Sequence, residues 1–163
     1  MDAEKMNAKK MVLTALLIAL VTVTTMIVNI PLPGVRGYVN IGDTVVLLAG
    51  LIFGPLAGAV SGALGASLAD LLLGYAYWAP WTFVIKGLEG FLAGWVVRCL
   101  GKATTLGATL GALVMVLGYF LVGILYYGLG PAVTSLPGDL VQGGVSVALA
   151  LLLVPPIRKY LSL

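Results

Sequence analysis

The sequence has no histidine, a single cysteine and few charged residues, and each shortage removes a class of function. The absence of histidine argues against a histidine-based metal site or general base. Cys99 is alone, so there is no disulfide framework or cysteine-rich metal centre, and we interpret it as a small apolar packing residue. Charged residues make up 9% of the chain and hydrophobic residues 61%, whereas soluble domains carry about a quarter charged residues. The chain is therefore expected to be a polytopic membrane protein.

Catalytic and nucleotide-binding motifs are also missing. We find no P-loop, nucleophile elbow, HExxH motif or paired-cysteine site in the sequence. We therefore expect no enzymatic activity, no metal and no cofactor. The chain has no means of hydrolysing ATP by itself.

Long apolar runs predict the fold, since a membrane helix needs about 20 mostly apolar residues. The predicted helices cover approximately residues 11–30, 41–53, 56–73, 81–100, 106–127 and 136–155. The second run is short for an upright span, and Pro155-Pro156 is expected to end the sixth helix. We predict an all-α membrane protein, a six-transmembrane-helix bundle that forms a single membrane domain over residues 1–163.

Basic residues predict the orientation of this bundle. With six spans, one side of the membrane holds seven basic residues and the other holds only Arg36. The seven are Lys5, Lys9, Lys10, Arg98, Lys102, Arg158 and Lys159. This bias is the positive-inside signal, so the N- and C-termini are expected to be cytoplasmic and the protein to lie in a prokaryotic plasma membrane.

Five ionisable residues fall inside the predicted helices or at their outer ends. Lys86 and Glu89 lie inside the fourth helix, three residues apart and hence on one face. Asp43, Asp70 and Asp139 fall at the outer ends of helices 2, 3 and 6. A charge at the bilayer centre costs roughly 2.5–3.5 kcal/mol on insertion scales, so such residues usually face the protein interior.

The placement of these five groups indicates a polar pocket that opens to the outside, because the inner half of the bundle holds none. Two structural alternatives stay open. Lys86 and Glu89 could form a purely structural pair, and Asp43 and Asp139 could simply offset helix dipoles at N-termini.

Aromatic residues are concentrated on the predicted outer side. They are Tyr38, Tyr75, Tyr77, Trp78, Trp81, Tyr126 and Tyr127. The inner side holds only Tyr160 and Trp95. A belt at the lipid headgroups explains part of the set, but a belt alone would be two-sided, so some rings are expected to stack on a flat ligand.

Small residues recur at helical spacing, a pattern that lets membrane helices approach closely. Helix 1 contains Ala15-x-x-x-Ala19, and helix 3 begins with Gly54-x-x-x-Gly58-x-x-x-Gly62. For helix 3 we favour packing within the bundle. For helix 1 a contact with another protein is a live alternative.

The order of several short motifs resembles a known family. These are Ala15-x-x-x-Ala19, the run Tyr38-Val-Asn-Ile-Gly-Asp43, the turn at residues 48–59, Ala69-Asp70, and Ala79-Pro80-x-x-Phe83-Val-Ile-Lys86-Gly87. Together they resemble the S component of an energy-coupling factor (ECF) transporter, in the branch typified by riboflavin, pyridoxine and hydroxymethylpyrimidine carriers. The resemblance covers nearly the whole chain.

The resemblance implies a function and a set of partners. S components capture a vitamin or precursor from outside and then associate with a transmembrane T subunit and two cytoplasmic ATPases, which drive toppling of the S component. Ala15 and Ala19 would contact the T subunit. The ligand would be a compact pyridine or pyrimidine, or riboflavin, and no nucleic acid is expected.

The resemblance also locates the pocket in the outer half of helices 4 to 6, closed by the loop at residues 31–40. Combined with the embedded polar residues, it gives these candidate substrate-binding residues: Tyr38, Asn40, Asp43, Asp70, Trp78, Lys86, Glu89, Tyr119, Tyr126, Asp139 and Gln142. The lysine would suit a hydroxyl, ring oxygen or carboxylate of the ligand, and Glu89 an amino or ring N–H group.

Rival classes remain. A proton-coupled carrier or small exporter could use Glu89 as its proton relay, although small exporters show little positive-inside bias. A membrane enzyme would need a catalytic constellation, which is lacking. A purely structural subunit would not need charges in the outer half only.

Overall fold

The protein folds as a bundle of six helices in the part of the chain that the structure describes. The structure is a computed structural model that describes residues 2–31, 37–101 and 103–162, with side chains from residue 8 onward. The helices are α1 (Asp2–Ile27), α2 (Gly42–Phe53), α3 (Pro55–Leu72), α4 (Ala79–Leu100), α5 (Thr104–Tyr127) and α6 (Leu129–Leu161). The predicted number of helices and the all-α class are confirmed.

Four of the helices are long and apolar enough to cross a membrane: residues Ala8–Ile27 of α1 and the whole of α3, α5 and α6. The remaining two depart from that pattern for different reasons. α2 has 12 residues, about 18 Å at 1.5 Å per residue, which is shorter than a hydrocarbon core of about 30 Å. α4 has 22 residues, but Lys86 and Glu89 interrupt its apolar character.

The bundle is apolar outside and polar inside. Large hydrophobic side chains such as Leu16, Leu121 and Leu152 are more than 60% exposed. The interior, in contrast, buries ionisable side chains such as Lys86 and Glu89. An apolar exterior of this extent is matched to lipid, and buried charges inside a membrane bundle are typically functional.

Glycines bring α3 and α4 into backbone contact. A Cβ on Gly90 would overlap the backbone of Gly58, and a Cβ on Gly58 would overlap the carbonyl of Gly90. A Cβ on Gly62 would likewise overlap the backbone carbonyl of Lys86. The small-residue row of helix 3 therefore packs within the bundle. Its first member, Gly54, instead separates α2 from α3 with φ 97°, a conformation that favours glycine.

The two ends of the bundle differ in character. The end that carries residues 73–78 between α3 and α4, together with Tyr126 and Tyr127 of α5, is called the aromatic end. The opposite end, where Lys10, Arg98 and Arg158 line a common cleft, is called the basic end. Arg36, Lys102 and the side chain of Lys5, which contributed to the predicted orientation, lie outside the described residues.

A short hairpin connects α1 to α2 at the aromatic end. Strand β1 (Ile30–Pro31) pairs antiparallel with strand β2 (Tyr38–Val39), with Ile30 opposite Val39. The sequence predicted a closing loop at residues 31–40 but no strands. Residues 32–36 of that loop lie outside the described part.

The sixth helix is longer than predicted. It begins at Leu129 instead of Leu136 and continues through Pro137, Pro155 and Pro156 to Leu161. A proline in a helix interior loses one backbone hydrogen bond. Membrane helices tolerate this because packing against neighbouring helices and local adjustments re-satisfy the freed groups. Similarly, α1 begins at Asp2 instead of Met11, since alanine, lysine, glutamate and methionine at residues 3–10 are good helix formers.

Candidate ligand-binding site

A cavity at the aromatic end gathers most of the buried polar side chains. It leaves about 50 Å³ for the centres of water molecules. Since one water needs about 10–15 Å³ by that measure, the cavity suits a compact ligand. Its lining comes from α1, the hairpin, and α3 to α6: Thr25, Gly37, Tyr38, Asn40, Ala66, Asp70, Trp78, Thr82, Lys86, Tyr119, Gly123, Ser135, Asp139 and Gln142.

Lys86 is a fully buried cation at the floor of this cavity. Its ammonium group donates to Asp43 of α2 and, over 3.1 Å, to Glu89 one turn further along α4. The ammonium nitrogen also lies 5.3 Å from the centre of the Tyr119 ring, within the range of a cation–π contact. The predicted Lys86–Glu89 pair therefore exists, and Asp43 completes it from a second helix.

Gln142 extends this ion cluster to the hairpin. Its Nε2 donates to Oδ2 of Asp43 over 2.8 Å, and its Oε1 accepts the backbone N–H of Asn40 over 2.8 Å. The side chain of Asn40 in turn accepts the backbone N–H of Gly42, the first residue of α2. One continuous network thus joins the end of the hairpin to α2, α4 and α6.

Asp70 and Tyr38 join α3 to the hairpin. The Tyr38 hydroxyl donates to Oδ1 of Asp70 over 2.7 Å, and its ring packs 5.0 Å from that of Tyr75. Burial raises the pKa of the Tyr38 hydroxyl, and the nearby Asp70 carboxylate raises it further. Tyr38 consequently remains a protonated donor at physiological pH. Oδ2 of Asp70 is buried and has no hydrogen-bond partner within the described residues.

The aspartates are more buried within the bundle than the sequence predicted. Asp43, Asp70 and Asp139 were expected at the outer surface, but each is less than 7% exposed. Asp139 lies well inside α6, because that helix begins at Leu129. It therefore does not offset the helix dipole at an N-terminus. Asp43 does lie in the first turn of α2, and it also holds Lys86.

Aromatic side chains form one wall of the cavity. The centre of the Trp78 ring lies 5.6 Å from that of Tyr119 and 5.4 Å from that of Tyr126, and both contacts are edge to face. The hydroxyl of Tyr126 accepts the indole N–H of Trp81 and donates to the backbone carbonyl of Tyr77. Part of the predicted aromatic group is therefore a packed cluster that reaches the cavity through Trp78 and Tyr119.

The structure brings eight of the eleven predicted substrate-binding residues to the cavity surface. They are Tyr38, Asn40, Asp70, Trp78, Lys86, Tyr119, Asp139 and Gln142. Asp43 and Glu89 lie behind Lys86, and Tyr126 lies at the surface of the aromatic cluster with 40% exposure. These three do not line the cavity.

Three lining hydroxyls were not predicted: Thr25, Thr82 and Ser135. Threonine and serine are common in membrane helices, where they bond to backbone carbonyls, as Thr22 does to Ile18. Their presence alone therefore carries no signal. Thr82 could have been predicted, because it lies one helical turn before Lys86 and therefore on the same face of α4.

The small residues of helix 1 are placed differently from those of helix 3. Ala15 and Ala19 are both exposed on α1, away from the cavity, and neighbouring exposed side chains such as Leu16 and Leu20 are apolar. They form a smooth apolar strip on the outside of the bundle.

Comparison with known proteins assigns the chain to a family. A sequence model described as the ECF-type riboflavin transporter, S component, matches residues 5–159. The thiamine precursor transporter HmpT of Lactococcus lactis subsp. cremoris is 36% identical over 154 residues, covering 94% of this chain and 90% of that protein.

Two further relatives carry no functional name. An uncharacterised protein of Pyrococcus woesei is 48% identical over 128 residues, covering 75% of this chain and 83% of that protein. A UPF0397 protein of Streptococcus pneumoniae is 36% identical over 91 residues, covering 55% of this chain and 48% of that protein. Since the family model spans nearly the whole chain, and HmpT aligns along most of its length, the chain belongs to the family of ECF-type riboflavin transporter S components.

Proposed function

We propose that this S component captures a water-soluble vitamin or vitamin precursor in the cavity at the aromatic end. The observation that carries the proposal is the cavity itself: a polar and aromatic chamber inside an apolar exterior, bordered by the hairpin between α1 and α2. The lining suits a small heterocycle, because Trp78 and Tyr119 offer ring surfaces while Asp70, Lys86 and Asp139 surround them with polar groups.

The ligand is a compact heterocycle in this proposal. The family model refers to riboflavin and the HmpT relative to a thiamine precursor. The limited free volume of the cavity favours a single ring, such as a pyrimidine or pyridine, over the three fused rings of a flavin. The ligand-contacting residues are the eight predicted side chains that line the cavity, with Asp43 and Glu89 supporting Lys86 from behind.

Transport requires partners in this proposal. The chain would work with a transmembrane T subunit and two cytoplasmic ATPases. The ATPases would supply ATP hydrolysis, since this sequence has no P-loop of its own. The apolar strip at Ala15 and Ala19 is the proposed T-subunit contact. The basic end would face the cytoplasm of a prokaryotic cell, and the aromatic end the outside.

The test is reconstitution of the chain in liposomes, alone and together with T and ATPase subunits. The proposal expects vitamin binding by the chain alone, and uptake only with the partners and ATP inside the vesicle. An ATPase with its Walker A lysine substituted provides the matched control and should support no uptake. Robust uptake by the chain alone, driven by a proton gradient, would instead support the rival carrier with Glu89 as its relay.

A further inference from the structure

The basic end of the bundle contains an open cleft beneath the short helix α2. The 12 residues of α2 extend about 18 Å from the aromatic end and stop at Phe53, so they leave part of a hydrocarbon core of about 30 Å unspanned. The cleft that opens there leaves about 760 Å³ for the centres of water molecules, against about 50 Å³ in the cavity at the aromatic end. A cleft of this size does not stay empty in a membrane, and its lining indicates what fills it.

Cations from three different helices line this cleft, which we call the basic cleft. Lys10 comes from α1, Arg98 from α4 and Arg158 from α6. Nη2 of Arg158 donates to the backbone carbonyl of Leu51 over 2.7 Å, one of the carbonyls that the C-terminal end of α2 leaves without a partner in the helix. That bond holds the guanidinium in place and uses one of the several N–H groups that arginine carries, so the remaining ones can bind an anion.

No carboxylate with a described side chain neutralises these cations. Both ion pairs of the described residues are made by Lys86, and none of the acidic residues within the bundle lines the basic cleft. Asp2 and Glu4, the other acidic residues of the sequence, precede Lys10 on α1 by at least six residues, which is about 9 Å of helix. Among the described side chains, the positive charge of the basic cleft is therefore uncompensated.

Most of the remaining lining is apolar. It includes Leu13 of α1, Leu56 and Val60 of α3, and Val97 of α4. Leu56 is 73% exposed and Val60 37% exposed, so this apolar wall is continuous with the lipid-facing exterior of the bundle. A ligand that fits the whole cleft has an anionic head for the cations and an apolar tail for the wall.

We propose that the basic cleft binds an anionic phospholipid. Its headgroup phosphate lies between Lys10, Arg98 and Arg158, and one acyl chain lies along the wall at Leu56 and Val60. Arginine matches phosphate through paired N–H donors, and basic pockets between membrane helices are typical sites for acidic lipid headgroups. The opening toward lipid favours an occupant that is already in the bilayer over an acidic segment of a partner protein. This site is independent of which molecule the cavity at the aromatic end captures.

Native mass spectrometry of the detergent-purified chain tests the proposal, with dioleoylphosphatidylglycerol and dioleoylphosphatidylcholine offered at equal concentration. The two lipids share their acyl chains and differ in the net charge of the headgroup. We expect occupancy by phosphatidylglycerol to be higher by about fivefold or more, because nearby lysine and arginine side chains attract anionic headgroups. Equal occupancy, or a preference for phosphatidylcholine, would overturn the proposal.

Two double variants separate the basic cleft from general surface charge. Lys10→Gln with Arg98→Gln removes two cations that line the cleft, whereas Lys9→Gln with Lys159→Gln removes two exposed lysines outside it. Both lower the net charge equally, and Arg158 stays intact because it bonds to the end of α2. The first variant should lose the preference for phosphatidylglycerol and the second should keep it, so equal losses would overturn the proposal. If the first variant fails to fold, the comparison of the two lipids on the wild type decides.

Two further probes distinguish a lipid from a soluble anion. Glycerol phosphate carries the phosphate without acyl chains and should not displace phosphatidylglycerol even in large excess. Displacement would assign the cleft to a soluble anion and overturn the proposal. Val60→Trp, which narrows the apolar wall, should lower the occupancy by phosphatidylglycerol, while Leu121→Trp, at an exposed position of α5 outside the cleft, should leave it unchanged. Equal occupancy in these two variants would overturn the placement of the acyl chain.

Assembly with the T and ATPase subunits distinguishes a lipid from a protein occupant. The Lys10→Gln, Arg98→Gln variant should still assemble with these subunits, because the proposal assigns its cations to lipid. A variant that keeps the preference for phosphatidylglycerol and no longer assembles would show that the basic cleft is a protein contact, and would overturn the proposal.

Discussion

At the scale of single residues, Lys86 illustrates how a charge is kept inside a membrane helix. Its ammonium group is bonded to Asp43 and Glu89 and rests near the face of Tyr119. A buried ion pair adds little net stability, because desolvation offsets the attraction, but removal of one partner leaves the other charge uncompensated. The value of the cluster is thus the fixed geometry that it gives to the cavity floor.

Substitution Lys86→Met should destabilise the protein strongly, by roughly 3–5 kcal/mol, because two buried carboxylates lose their cation. Thermal unfolding in detergent measures the effect. The triple variant Lys86→Met, Asp43→Asn, Glu89→Gln is the matched control and should regain most of the loss, since it buries no charge at this position. A Lys86→Met protein that melts like the wild type would show that the carboxylates are protonated and need no cation.

Tyr38→Phe should weaken ligand binding about tenfold or more, because Asp70 loses the hydrogen bond that orients it. The substitution removes the donor to Oδ1 of Asp70, and a net hydrogen bond to a charged group is worth about 1.5–3 kcal/mol. Calorimetry on the two proteins measures the difference. Tyr75→Phe offers a control, because it keeps the ring packed against Tyr38 and leaves the bond to Asp70 in place; equal losses in both variants would contradict a specific role for Tyr38.

The burial of the Tyr38 hydroxyl beside Asp70 predicts a pH dependence of stability. Because the pKa of Tyr38 is raised in the folded protein, the folded state holds this proton more tightly than the unfolded state does. The stabilisation is therefore complete below the ordinary tyrosine pKa of about 10 and declines above it. Wild type and Tyr38→Phe should differ in melting temperature by a constant amount between pH 7 and 9, and the gap should narrow above pH 10. A gap that closes below pH 9 would contradict this.

At the scale of elements, the contact between α3 and α4 places the charged face of α4 beside the cavity. Gly58 and Gly90 let the two backbones touch, and Gly62 approaches the carbonyl of Lys86 itself. The resulting contact fixes the depth of Lys86 relative to Asp70 on α3. Small residues are therefore needed here for the geometry of the site as well as for helix association.

Gly90→Ala should lower the melting temperature by several degrees, because its Cβ would overlap the Gly58 backbone. Gly144→Ala in α6 is the matched control, since a Cβ there meets nothing within 4 Å. The control should be neutral or stabilising by up to about 1 kcal/mol through helix propensity. Similar behaviour of the two variants would contradict the close packing of α3 on α4.

The network through Gln142 predicts control of ligand release by the hairpin. Gln142→Leu removes the bonds to Asp43 and to the backbone of Asn40, so the end of the hairpin is held less firmly over the cavity. The ligand dissociation rate, followed by stopped-flow measurement of the intrinsic tryptophan fluorescence, should rise about tenfold, while the association rate changes little. An unchanged dissociation rate would separate the hairpin from ligand retention.

How far the sequence alone predicts these elements depends on the kind of signal. Helix number follows from apolar runs, which are strong over 20 residues. The hairpin could not be predicted from the sequence, because its strands have only two residues each and show no alternating pattern. The start of α6 was placed too late because residues 128–132 were interpreted as a break, whereas Pro131 lies in the first turn of the helix, where a proline is tolerated.

The site was predictable in its charges but not in its connections. Lys86 and Glu89 are conspicuous in an apolar run, so their importance could be inferred from the cost of burial. That Asp43 would approach from another helix depends on how α2 packs against α4, which no local pattern encodes. Likewise, the depth of Asp139 follows from where α6 begins, and an error in that boundary moved the residue to the surface.

At the scale of the whole molecule, polarity is inverted relative to a soluble protein: apolar side chains cover the exterior and ionisable groups fill one end of the interior. Such a molecule can enclose a polar cavity while its exterior stays matched to lipid. The proposed ligand site and the proposed partner contact lie on different surfaces, because the cavity is inside the bundle and Ala15 and Ala19 are outside it.

This separation predicts that Ala15→Trp or Ala19→Trp abolishes ATP-dependent uptake by the assembled complex and leaves the affinity of the isolated chain unchanged. The bulky ring would prevent close approach of a partner helix. Leu121→Trp, at an exposed apolar position of α5, is the matched control and should retain uptake. Loss of ligand affinity in the Ala15 or Ala19 variants, with normal assembly of the complex, would contradict the division between the two surfaces.

The central claim is that the cavity at the aromatic end captures a vitamin-type molecule, and native mass spectrometry of the detergent-purified chain tests it most directly. The bound molecule is released in the spectrometer and identified by mass, for the wild type and for Asp139→Asn side by side. The account predicts a compact nitrogen heterocycle on the wild type and a lower occupancy on the variant. An empty wild-type protein that also shows no thermal shift with any of a panel of vitamins and precursors would contradict it.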